Sequence, residues 1–136
     1  MKLPLQLAAV VLGGGLLVYL LLSWAGGFSS PVDPATLSPA ERGLALARSR
    51  GCTACHSLDG TRGVGPSWFA SWGAERQLKD GRRVIVDERY LRLAMTDPAV
   101  ELVEGYDPVM LPAGFTEAEL QDVLMLIRGL GSAPAP

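Results

Sequence analysis

GCTACH, residues 51–56, is the stretch on which the reading of this chain turns. Two thiols three residues apart, Cys52 and Cys55, lie on one face of a single helical turn. His56 follows directly. Cys-x-x-Cys-His is the attachment signal for c-type haem. At that spacing each thiol reaches a vinyl group of the same porphyrin, and the imidazole turns toward the iron as its fifth ligand. The chain holds two cysteines and one histidine, so the motif uses the whole inventory. Those counts exclude a four-ligand zinc site, a four-thiolate iron–sulfur cluster and any site with two histidines. A thioredoxin-like redox pair belongs at a strand–helix junction in an α/β pattern, and the chain has no such pattern. A disulfide across one helical turn is geometrically poor. One covalently held haem c, bound through Cys52 and Cys55, is the reading.

With no second histidine, the sixth iron ligand falls to one of four methionines: Met1, Met95, Met110 or Met125. Met1 precedes an apolar run. Met95 and Met125 lie in segments of helical periodicity, where a packed methionine is the ordinary expectation. Met110 lies in GYDPVMLP, an irregular stretch bounded by Pro108 and Pro112. A loop brings a thioether to the iron more readily than a packed helix does, so His56 and Met110 are the expected iron ligands. His/Met ligation raises the reduction potential and leaves no open position. That suits one-electron transfer better than oxygen or peroxide chemistry. The alternative is a ligand-binding or sensor haem c protein with an open sixth position.

Working outward, Ser38-Pro39-Ala40-Glu41 has the features of a helix start: a capping serine, proline at the first position and a capping-box glutamate. This helix is expected to run to about Arg50. Thr116 to Glu119 repeats the signal before Leu120, Val123, Leu124 and Ile127 recur at helical spacing. A third helix, capped by Asp87, is expected to end before Asp97-Pro98. Tyr90, Leu91, Ala94 and Met95 give it one apolar face. Between these lie a Gly/Trp-rich loop at 60–74 and a short extended patch from Arg83 to Val86. The expected fold class is all-α.

The chain has 136 residues, 49% of them apolar and 19% charged, with net charge −2. The pI is near 5.3 and the mean hydropathy is +0.25. The balance gives no support for nucleic-acid binding. The apolar excess is concentrated at one end. From Leu3 to Val32 there is no Asp, Glu, Lys or Arg. Residues 5–25 match the roughly 20 residues that span a bilayer core. Lys2 before the run favours an N-terminus inside. The expectation is one N-terminal transmembrane helix within residues 1–25, in contact with membrane lipid. A cleaved signal peptide ending at Ser23-Trp24-Ala25 is the other reading. Either one exports the remainder. Residues 26–37 read as a Gly/Ser/Pro tether, 38–131 as the haem domain, and 132–136 as a Pro/Ala tail.

GCTACH at 51–56, GVGPSW at 63–68, YLRLAMTDPAVELVEGYDPVMLP at 90–112 and the capped last helix together resemble the class I monohaem cytochromes c. The third stretch is similar to the cytochrome c domain fused to subunit II of some terminal oxidases. The resemblance covers residues 38–130. It implies an all-α class I domain in which the Pro66 carbonyl accepts a hydrogen bond from His56. Trp68, Phe69 and Trp72 would form an apolar wall over the haem, or ordinary core. Tyr90, Tyr106 and the Arg82/Arg83 pair are candidates for propionate contacts; a solvated arginine pair is the competing reading. Two positions depart from the family: where aromatics usually pack around a glycine, this chain has Gly43 with Ala47 and Leu126. It also lacks residues for a dinuclear copper site. The implied function is single-electron transfer from a quinol-oxidising complex to a terminal oxidase. The implied location is the outer (periplasmic) face of the bacterial cytoplasmic membrane. Seven acids and no base lie between Asp97 and Asp122, while four arginines lie between Arg42 and Arg62. Such an asymmetry either steers a redox partner or simply solvates the surface.

Overall fold

A computed structural model describes residues 5–24 and 33–131. The chain divides into two units, Met1–Asp33 and Pro34–Pro136. In the first, α1 (Leu5–Trp24) is a helix. Its described side chains, residues 11–24, are all exposed. Among the described residues no helix is long and apolar enough to cross a membrane. The expectation of a transmembrane helix ahead of the domain is corrected accordingly, since no helix among the described residues meets that requirement. Most of the expected tether, at 26–32, and all of the tail, at 132–136, lie outside the described residues.

The second unit begins with a 3₁₀ turn at Pro34–Thr36, followed by α2 (Pro39–Ser49) and α3 (Cys52–Cys55). Strands β1 (Glu75–Gln77) and β2 (Arg83–Ile85) come next, then α4 (Glu88–Thr96) and α5 (Glu117–Gly129). Capping sets the helix starts. The Ser38 hydroxyl accepts from the Glu41 amide, and the Glu41 carboxylate accepts from the Ser38 amide at 2.8 Å. Thr116 and Glu119 repeat this box at α5. Asp87 accepts from the Tyr90 amide at 2.8 Å and caps α4. Each box satisfies amides that would otherwise lack partners at a helix end.

Helices α2 and α5 cross at Gly43. A Cβ at Gly43 would collide with the backbone carbonyl of Asp122, so only glycine allows this approach. Ala47 and Leu126 are both buried at the crossing. Arg42 closes it with two hydrogen bonds to the Asp122 carboxylate, at 2.8 and 2.7 Å. The core of this unit gathers Leu78, Val86, Leu91, Met95, Leu120, Val123 and Ile127.

The domain is not all-α. β1 and β2 form an antiparallel hairpin with Arg76 opposite Val84. The physical reason is legible in ERQLKDGRRVIV, residues 75–86. Leu78 and Val86 alternate inward and are buried, and Asp80-Gly81 makes the turn. Gly81 takes φ +87, and Leu78 and Arg82 close the loop with a 2.8 Å hydrogen bond. A turn ending in a left-handed glycine is a common three-residue hairpin loop. The expected extended patch at Arg83 to Val86 is thus one arm of a sheet. The segment after α4 pairs with the other arm: the Lys79 amide donates to Leu102 O at 2.8 Å, and the Glu104 amide to Gln77 O at 2.9 Å.

Candidate haem-binding site

Gly51, with φ +78, turns the chain from α2 into α3. The Ala54 amide donates to Gly51 O and the His56 amide to Cys52 O, at 3.1 and 2.9 Å. This single turn carries both thiols. Burial pushes the Cys52 thiol pKa up, so the thiol stays protonated at neutral pH. His56 leaves the helix in an extended conformation, and its ring meets the loop at 63–68.

That loop is sewn back onto the motif. The Gly65 amide donates to Cys55 O and the Trp68 amide to Ser57 O, both at 2.9 Å. The stitching brings the Pro66 carbonyl 2.7 Å from His56 Nδ1. A carbonyl can only accept, so Nδ1 carries the proton and Nε2 keeps its lone pair for a ligand. Burial lowers the His56 pKa, with the Pro66 contact opposing it, so the ring is neutral near pH 7. Trp68 stacks on the ring, centroids 5.2 Å apart and planes 19° from parallel. Gly65 permits the approach: a Cβ there would stand 2.5 Å from His56 Cε1.

A cavity of about 590 Å³ opens beside this turn. Its lining includes Cys52, Cys55, His56, Pro66, Trp68, Tyr90 and Met110, so these seven of the residues singled out in the sequence meet at one place. Tyr106 also lines it; Phe69 and Trp72 do not. Met110 is 37% exposed and Met95 is 5% exposed. Met95, packed in the core, nonetheless reaches the cavity wall. Met125 is exposed on α5 and takes no part in the lining.

Arg82 and Arg83 lie away from the cavity. Arg82 pairs with Asp80 at 2.8 Å and reaches Glu101 at 3.5 Å, while Arg83 pairs with Glu75 at 2.8 Å. Arg50 and Arg76 do line the cavity, and sequence reasoning passed over Arg76. Its signal was strand alternation: Arg76 shares the inward face with buried Leu78. Among the described residues Arg76 has no ion pair, and its charge is felt at Tyr90. Burial raises the Tyr90 pKa, with Arg76 partly opposing. Glu101, a buried carboxylate, also lines the cavity and is held by Arg82 and Arg89.

The acidic stretch is less bare than its composition. Of its seven acids, Glu101, Glu117, Glu119 and Asp122 are in ion pairs. Asp97, Glu104 and Asp107 are in none among the described residues.

The donor set fits haem c. Two thiols on one turn, an imidazole with a free Nε2 and a thioether from a separate segment line one cavity. Its volume lies in the range of cofactor pockets. Arg76 and Tyr90 add a cation and a hydroxyl donor to the same wall, suited to carboxylates. Searched against models of protein families and against curated proteins, the chain matches none.

Proposed function

We propose that the second unit is a c-type haem protein that carries single electrons between respiratory complexes, from a quinol-oxidising complex to a terminal oxidase. One observation carries the reading: Cys52, Cys55, His56 and Met110 come together around one cavity, with Nδ1 of His56 committed to Pro66. When bound, the haem supplies an iron that cycles between two oxidation states. The chain's own residues hold and tune it. Cys52 and Cys55 would hold the haem covalently, each through one thioether. His56 presents Nε2, and the Pro66 carbonyl fixes its tautomer and strengthens it as a donor. Trp68 keeps water from the imidazole. Met110 supplies a thioether, which raises the potential relative to a second histidine. Arg76 and Tyr90 are suited to the propionates, a role that Arg82 and Arg83 cannot fill while paired elsewhere. The charge-free run from Leu3 to Val32 supports export to the outer side of the cytoplasmic membrane.

An absorption spectrum of the oxidised chain, loaded with haem, tests the reading. A methionine-to-iron charge-transfer band in the wild type, absent in Met110→Ala, is the expected result. A wild type without that band that binds carbon monoxide readily would favour the open-site alternative.

A further inference from the structure

The segment that carries Met110 is tied down at its ends. Before it, the Glu104 amide donates to Gln77 O at 2.9 Å; after it, the Ala113 amide donates to Met95 O at 2.8 Å. Inside it the backbone hydrogen bonds are local: Tyr106 to Val103 at 3.3 Å and Val109 to Asp107 at 2.9 Å. Val109 and Leu111 are exposed. Among the described residues one side chain from a distant part of the chain hydrogen-bonds to residues 105–112, and it is Arg62. Its Nη2 donates to Gly105 O at 2.7 Å, and its guanidinium lies 4.7 Å from the centre of the Tyr106 ring. Gly105, with φ +79, turns there in a left-handed conformation that favours glycine.

The other end of this bridge is firm. Arg62 follows a turn in which Asp59 accepts from the Thr61 amide and hydroxyl, at 3.0 and 2.7 Å. Ser57 donates to Thr61 O at 2.5 Å. The turn is continuous with Cys55 and His56. Arg62 therefore links the histidine side of the cavity to the methionine side.

We infer that Arg62 is a positioning residue: it clasps Gly105 and Tyr106 and so keeps Met110 seated at the cavity. The inference rests on the reading of Met110 as the iron ligand. The clasp acts on the segment as a whole and not on the thioether itself, so losing it leaves the ligand in place but frees it more often.

Two measurements on the full chain as isolated test this. The first is the rate of imidazole binding to the oxidised haem at saturating imidazole, which reports how often Met110 leaves. Arg62→Gln is expected to raise it about fivefold, the order of one exposed cation–π contact. Arg62→Lys, which keeps a cation over Tyr106, recovers part of the effect. The second is amide hydrogen exchange. Arg62→Gln should speed exchange at Tyr106 by a similar factor and leave Leu78, in the hairpin, unchanged. Unchanged exchange at Tyr106 overturns the clasp, as does an equal acceleration at Leu78. Faster exchange at Tyr106 with an unmoved imidazole rate overturns the link to Met110. A chain isolated without haem overturns the proposed function instead, and the exchange at Tyr106 still decides the clasp.

Discussion

Around His56 the backbone is sewn to itself, with Gly65 on Cys55, Trp68 on Ser57 and the Pro66 carbonyl on the ring, whereas around Met110 it is anchored at Glu104 and Ala113 and clasped by Arg62. The two regions line one cavity. The first is ordered by short-range bonds within about a dozen residues of sequence. The second depends on long-range ones, to β1, to the end of α4 and to the loop after His56. The imidazole of the first region is oriented by the chain's own hydrogen bonds. A ligand presented by the second can be released without unfolding the domain. Local stability of this kind varies along a chain because loops with few buried contacts open at small cost.

The sharpest way to break this contrast is to truncate the two methionines of the cavity. Met95 is core, so Met95→Ala should cost about 3 kcal/mol of stability. Met110 is more exposed, so Met110→Ala should cost about 1 kcal/mol while erasing the charge-transfer band. Thermal unfolding and the oxidised spectrum read the two effects separately. The reverse assignment would put the ligand on the helix.

Next in size is Gly65→Ala. Its Cβ would stand 2.5 Å from His56 Cε1 and push the ring from Pro66. A loss of about 2 kcal/mol is expected, together with a change in the haem spectrum. If the variant is as stable as the wild type, the histidine side is not the rigid one.

The smallest effect concerns α5, which begins just after the methionine segment. Thr116→Ala should lower thermal stability by about 1 kcal/mol. Its partner Glu119 has a depressed pKa, chiefly from hydrogen bonds to Thr116. The ionised carboxylate is therefore favoured in the folded chain. Its contribution is complete above the ordinary glutamate value of about 4.3 and drains away as pH falls through the depressed one. The gap in melting temperature between wild type and Glu119→Gln should be largest at neutral pH and close in acid. A gap that widens in acid would contradict the capping box.

Much of the frame was legible in the sequence because caps are local. Ser38, Asp87 and Thr116 announce their helices within four residues, and α2, α4 and α5 begin there. The hairpin was harder. Each strand is three residues long, too short for alternation to stand out, and Asp80-Gly81 was the sign to weigh. The motif marked Cys52, Cys55 and His56 because three chemistries stand side by side. Arg76 escaped notice because nothing near it in sequence distinguishes it from Arg82 and Arg83. Only the fold separates them: Arg82 and Arg83 pair with Asp80, Glu101 and Glu75, whereas Arg76 stands at the cavity.

The central claim is covalent attachment of one haem to the turn at 52–55. Mass spectrometry of the denatured full chain, produced in cells that attach haem c and then treated with a thiol alkylating reagent, tests it most directly. The expected result is the chain mass plus one haem with no alkylation, and loss of the haem in Cys52→Ala/Cys55→Ala. A chain of bare mass that takes up two alkyl groups would contradict it.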